Sequence, residues 1–234
     1  MSTLCIVAID GPAGSGKSTV ARAVAAALDF VYVDTGAIYR CVALAAKRSG
    51  LALDDGPAVG ALASTLTMQF VPDEAEEQRA LLGDDDVSQA IRTPAIAMAA
   101  SAVSALPEVR DALLALQRRL AVDGPRGAVL EGRDIGTVVF PDAGLKIFMI
   151  AEVEERARRR LAELQAAGRS ITLGDVVQDL NQRDSNDSHR THAPLRQAAD
   201  AVCIDTTALS IEQVVERIVE LARQRFQPGL GSRT

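Results

Sequence analysis

Leu4 to Leu28 reads LCIVAIDGPAGSGKSTVARAVAAAL, and this stretch decides the fold. Leu4 to Ile9 is a continuous apolar run rich in β-branched residues, the composition of a strand covered on both faces in a parallel sheet. Gly11 to Gly16 break the run, and Ser18 to Leu28 follow as a helix with an Ala- and Val-rich buried face. Gly11, four residues and then Gly16-Lys17-Ser18 complete a Walker A pattern, with strand before and helix after as its mechanism requires. The loop Gly11, Pro12, Ala13, Gly14, Ser15, Gly16, Lys17, Ser18 and Thr19 is therefore expected to hold the phosphates of ATP. Successive backbone N–H groups turn inward around the β- and γ-phosphates, and the helix N-terminus adds partial positive charge. Lys17, read as an exposed loop lysine, adds a full charge, and the Ser18 hydroxyl ligates Mg²⁺.

Working outward, Phe30 to Val33, Ala128 to Leu130, Leu145 to Ile150 and Ala201 to Ile204 are further apolar runs with helical stretches between them. The pattern predicts an α/β, three-layer P-loop fold around a five-stranded parallel sheet with right-handed crossovers. Helix signals agree. Thr93-Pro94 is an N-cap with a first-turn proline, Pro107 opens another helix, and Ser210 with Gln213 forms a capping box before an apolar run to Phe226. The alternation from Thr65 to Val71 interrupts the αβ rhythm, and Thr65 to about Ile91 is predicted as a small antiparallel β insertion. The tail after Gln227 (PGLGSRT) is expected to be disordered.

With 234 residues, 48% of them hydrophobic, the chain suits one core-bearing domain with insertions. No window holds the ~18 uninterrupted apolar residues of a membrane span, and MSTLCIVAID lacks a basic flank or cleavage site, so a cytoplasmic protein is expected. Cys5, Cys41 and Cys203 stand singly in apolar surroundings and are expected to be buried thiols. The net charge of −6 argues against nucleic acid as the main partner. Seven acids and one base lie between Pro72 and Ala90, so the rest of the chain is close to neutral. A basic site elsewhere is then a local pocket sized for a small anion.

A P-loop names the ligand and leaves the reaction open. No Asp-x-x-Gly with Asn-Lys-x-Asp occurs, which argues against a GTPase. Asp73-Glu74-Ala75-Glu76 resembles a helicase acidic box, but Pro72 precedes it and a solvated acidic turn is the simpler reading. An ATP-binding module stays open. It would have no use for four segments that combine arginines with small polar or acidic groups: Asp34 to Arg40 (DTGAIYR), Ile91-Arg92-Thr93, Glu131 to Asp134 (EGRD), and Arg183 to Arg190 (RDSNDSHR). Arginine forks onto phosphate oxygens, and two of these segments follow strand ends, where open α/β sheets place ligands. For Arg156 to Arg160, a surface ion pair competes equally with a ligand role.

DGPAGSGKS, DTGAIYR, SQAIRT, EGRDIGTVVFPDA and RDSNDSHRTHAPL, in this order, resemble the bacterial cytidylate kinases from about Ile6 to Arg225. The resemblance implies an enzyme that passes a phosphoryl group from ATP, with Mg²⁺, to CMP or dCMP. It also implies an inserted nucleotide-monophosphate-binding part at about 65–101 and a lid at about 173–194. Carried over by position, the pyrimidine pocket falls on Ser101, Arg110 and Asp134, and the ribose contacts on Tyr39, Arg183 and Asp187. The phosphate and transfer arginines fall on Arg40, Arg133 and Arg190, with Lys17, Arg133 and Arg190 in the catalytic roles. Thr35 stands where a serine is common and keeps the hydroxyl. Asn186 and His189 stand where some members carry further bases.

The acceptor phosphate is already an anion, so no general base is needed, and His189 and His192 are expected on the lid surface. A monomer is expected, because lid and insertion both have to move. UMP or shikimate as acceptor, or a non-catalytic ATP-binding module, remain the rival readings.

Overall fold

The computed structural model describes residues 5–72, 78–122, 126–166 and 168–226. The acidic turn at Asp73-Glu74-Ala75-Glu76 and the tail after Gln227 lie outside the described residues. The chain divides into two compact units, residues 34–117 forming one and the segments on either side forming the other.

The flanking segments build a five-stranded parallel sheet. Its strands are β1 (Cys5–Asp10), β2 (Val31–Asp34), β6 (Gly127–Gly132), β7 (Leu145–Ile150) and β8 (Val202–Asp205), in the order β2-β6-β1-β7-β8. β1 is central and wholly apolar up to Asp10, as its continuous run requires when both faces are covered. α1 (Lys17–Leu28) lays Val20, Ala21, Val24, Ala25 and Leu28 against Val7, Ile9, Val129, Ile147 and Met149. That spacing is one helix face. α8 (Ile211–Phe226) adds Val214, Ile218 and Ala222 to the same cluster. It opens on the expected reciprocal cap, in which the Ser210 N–H donates to Gln213 Oε1 at 2.9 Å and the Gln213 N–H to Ser210 Oγ at 3.3 Å. α6 (Val153–Ala166) and α7 (Leu173–His189) pack on each other through Ala157, Leu164, Val176 and Leu180.

The second unit holds α2 (Thr35–Arg48), α3 (Gly56–Thr65), α4 (Pro94–Val103), most of α5 (Pro107–Val122), and a small antiparallel sheet. That sheet consists of β3 (Met68–Pro72), β4 (Gln78–Leu82) and β5 (Asp85–Asp86). Thr93 caps α4 by accepting from the Ile96 N–H, as the Thr-Pro pair predicts. Among the described residues no helix is long and apolar enough to cross a membrane.

The three cysteines divide instead of sharing one fate. Cys41 is buried, Cys5 is half-buried, and Cys203 is exposed, against expectation. β8 is one of the two edge strands, and its alternation leaves Cys203 on an open face while Ile204 points into the core. Burial pushes the Cys41 thiol up to about 12, so it stays protonated at neutral pH. A thiol reagent at neutral pH is expected to label Cys203 first and Cys41 only on unfolding. Native labelling of Cys41 at the rate of Cys203, followed by mass spectrometry, would contradict this packing.

Candidate active site at the carboxyl edge of the parallel sheet

Asp10 lies opposite Gly132 of β6 and Phe148 of β7, so the three central strands end nearly level. The chain leaves β1 between these neighbours, where ligands bind in such sheets. Gly11 has φ 152°, and a Cβ there would lie 2.1 Å from the Met149 carbonyl oxygen, so the loop can pass β7 this closely only as glycine. Gly16 caps α1 in the left-handed region, φ 84°. The Lys17 side chain is not exposed, as the sequence suggests. It is 4% accessible and curls back over its own loop, donating to the Pro12 carbonyl at 2.5 Å and the Ser15 hydroxyl at 3.2 Å. Burial pulls its ammonium below the usual lysine range and Arg133 adds to this, while Glu131, Asp187 and Asp10 oppose both. Incoming phosphate oxygens would therefore meet a cation that gains from being paired.

Ser18 and Thr19 are exposed at the start of α1. The Ser18 hydroxyl is a hard oxygen donor of the kind Mg²⁺ takes, and Glu131, Asp187 and Asp10 set a carboxylate field around the neighbouring Lys17. Asp10 is buried and accepts from the Ile135 and Gly136 N–H groups, each at 2.8 Å. It thereby fixes the π-helical turn Ile135–Val139 that follows Asp134. Burial pushes its carboxyl up to about 6 against those two donors.

Beyond β6, oppositely charged groups pair closely. Arg133 Nε donates to Asp187 Oδ2 at 2.7 Å. Arg190 lies 3.6 Å from Asp134 and 4.0 Å from Asp187, with its Nε donating to the Ala193 carbonyl at 2.6 Å. Ala193 adopts a left-handed φ of 50°, a strained state for a non-glycine residue, and so curls the chain around the arginine. Arg183 carries a buried Nε without a hydrogen-bond partner among the described residues, an N–H that a ligand oxygen would satisfy. Arg183 and Asp187 stand one turn apart on α7, which brings both to one face. Of the residues named from sequence, this unit thus gathers Lys17, Arg133, Asp134, Arg183, Asp187 and Arg190.

The other unit gathers the remainder. Asp34 caps α2 by accepting from the Ala37 N–H at 2.8 Å, and its second oxygen holds Arg40 at 2.7 Å. Thr35 is buried in the first turn. The Arg110 guanidinium lies 5.6 Å over the Tyr39 ring and donates to the Ser104 carbonyl at 3.0 Å. The Ser104 hydroxyl in turn donates to the Ser101 carbonyl at 3.0 Å, while Ser101 Oγ is buried with no hydrogen-bond partner among the described residues. Such an orphaned hydroxyl beside a stacked arginine is what a polar ligand edge would satisfy.

Sequence reasoning missed several supporting groups. Asp34 sits inside a quoted motif, yet only the structure shows it steering Arg40. Tyr32 donates to the buried Glu131 at 2.5 Å, a contact across 99 positions that no local pattern signals. The arginines of α6 split. Arg158 and Arg159 pair with Glu155 and Arg160 with Glu163, whereas Arg156 is buried and pairs with Asp184 at 2.6 Å. His189 and His192 are exposed, as expected.

Comparison with known proteins agrees. The family described as "Cytidylate kinase" matches residues 7–224. A protein of Syntrophotalea carbinolica named cytidylate kinase is 51% identical over 97% of this chain and 95% of its own. One of Geobacter sulfurreducens with the same name is 50% identical over 94% and 93%. One of Exiguobacterium sibiricum, again so named, is 50% identical over 92% and 96%. A loop shaped for phosphate, arginines held ready on carboxylates, and relatives alike over nearly their whole length place this chain in the cytidylate kinase family of phosphotransferases.

Proposed function

We propose that this chain transfers the γ-phosphoryl group of ATP to CMP or dCMP, giving ADP and CDP or dCDP. The observation that carries the reading is Lys17, a buried cation folded over the phosphate loop and within the field of Arg133, which Asp187 pairs. The names of the relatives favour CMP over UMP or shikimate, and a phosphotransferase family disfavours a passive ATP-binding module.

In this reading residues 11–19 cradle the donor phosphates, and Ser18 would hold Mg²⁺. The metal supplies charge that screens the transferring oxygens. Arg40 and Arg133 bind the acceptor phosphate, with Thr35 beside it, and Tyr39, Arg183 and Asp187 position the ribose. The acceptor is already an anion, so no side chain has to remove a proton. Lys17, Arg133 and Arg190 counter charge on the equatorial oxygens as the phosphoryl group passes in line. Residues 173–194 act as a lid that keeps water from the donor, and 65–101 as the monophosphate-binding insertion. The enzyme works as a cytoplasmic monomer on small molecules.

Base choice follows from hydrogen-bond patterns. Cytosine offers an amino donor at C4 and an acceptor at N3, and uracil the reverse. The Asp134 carboxylate oxygens accept only from the first, while Arg110 and Ser101 serve its N3 and O2. A site built for one pattern rejects the other strongly, because its own buried groups are left unpaired. We expect kcat/KM for CMP to exceed that for UMP by well over about tenfold. Asp134→Ala should erode this ratio mainly by losing CMP. Steady-state kinetics with CMP, dCMP and UMP tests both. Equal efficiencies in the wild type would remove the cytidylate reading, and an unchanged ratio in the variant would move base reading to Ser101 and Arg110.

A further inference from the structure

The backbone of Ala13, in the phosphate loop, is gripped on both sides by charged side chains from beyond the loop. Its N–H donates to Asp184 Oδ1 at 3.1 Å, and its carbonyl accepts from Arg156 Nη1 at 2.8 Å. The two side chains close the ring on each other, Arg156 Nη1 to Asp184 Oδ2 at 2.6 Å, and Arg156 is further fixed by Nε donating to the Ala151 carbonyl at 3.0 Å. The Arg156 side chain is 8% accessible and the Asp184 side chain 21%. Below the ring, the Ala13 methyl is packed among Ala157, Leu164, Val176 and Leu180 of α6 and α7.

Neither side chain is needed for the stability of an ordinary surface. A buried arginine and a carboxylate leave water at a cost that one ion pair alone does not recover, so their shared grip on one peptide unit calls for a reason. α7 supplies it. Leu180, Arg183, Asp184 and Asp187 recur at three- and four-residue steps, so the helix face that grips Ala13 also carries Arg183 toward the ligand and Asp187 onto Arg133. A shift of α7 along its axis would move these groups together and pull on the loop.

We propose that Asp184 and Arg156 are positioning residues that clamp Ala13 and so hold the arginine-bearing helix α7 in register with the phosphates of the donor. The inference rests on the reading that residues 11–19 bind ATP. With the clamp intact, the loop presents its N–H groups in one shape and the lid arginines arrive at a fixed height above the γ-phosphate. Without it, ATP is held less well and water competes for the phosphoryl group.

The test measures KM for ATP, KM for CMP, and the number of ATP molecules hydrolysed to water per CMP phosphorylated. For Asp184→Ala we expect KM for ATP and the hydrolysis ratio each to rise about tenfold, with KM for CMP within about twofold of wild type. A purely structural role would lower the active fraction and leave all three unchanged. Arg156→Gln should reproduce the effect, and the double variant should be no worse than either single one, because each breaks the same ring. Asp184→Asn keeps an amide oxygen to accept from the Ala13 N–H and should fall between wild type and Asp184→Ala. Should Asp184→Ala fail to fold, Asp184→Asn and Arg156→Gln carry the comparison. Wild-type values for ATP and for the ratio in the folded variants would overturn the proposal. A wild-type enzyme inactive on CMP would instead overturn the functional reading beneath it.

Discussion

Lys17→Ala is expected to lower kcat for CMP phosphorylation by at least about 10³-fold, at or beyond what loss of a single preorganised donor costs. The fold should survive. Lys17 lies under its loop, but its hydrogen bonds go to Pro12 and Ser15 of that same loop, and removing a buried cation relieves a desolvation cost that partly offsets the two lost contacts. The decisive measurement is single-turnover transfer with saturating ATP, alongside the thermal midpoint. Turnover near wild type in a folded variant would take the phosphate loop out of the mechanism.

Arg190→Ala is expected to lower kcat by about 10²-fold or more while KM for ATP changes by less than about threefold. The ground state explains the split. Arg190 is engaged with Asp134, Asp187 and the Ala193 carbonyl, so substrate is expected to gain little from it until charge spreads on the transferring group. A rise in KM with kcat intact would show that Arg190 binds substrate and transition state alike.

Much of this could be read in the sequence, for reasons that are local. Five apolar runs and the glycine-broken loop specify the parallel sheet because a strand covered on both faces leaves a continuous signature, and each run became a strand within two residues of its expected ends. The caps at Thr93 and Ser210 are three-residue patterns and appear as such. Lys17 shows where local reading stops, since its burial depends on β1, β6 and α7 converging around the loop. Cys203 is the counterpart: an apolar neighbourhood in sequence suggested burial, and its place on an edge strand decided otherwise. The grip of Tyr32 on Glu131, of Asp34 on Arg40, and of Asp184 on Ala13 joins partners that only the folded chain, or the pitch of a helix, brings together. Sequence pointed to candidate ligand-binding groups more readily than to those that hold them in place.

The pairing of Arg133 with Asp187 and of Arg190 with Asp134 has a consequence for which anions can enter. Two bare guanidinium groups at the end of a sheet would attract any sulfate, inorganic phosphate or chloride in solution. Here each cation already has a carboxylate, so a simple anion that draws an arginine away costs a buried acid one of its counter-charges. In the proposed reading a nucleotide would complete the exchange, its phosphate taking the arginine while its ribose hydroxyls and amino group offer the carboxylates new donors. Discrimination between a nucleotide and abundant small anions would then rest on a swap of partners, which only a ligand with both kinds of group can finish.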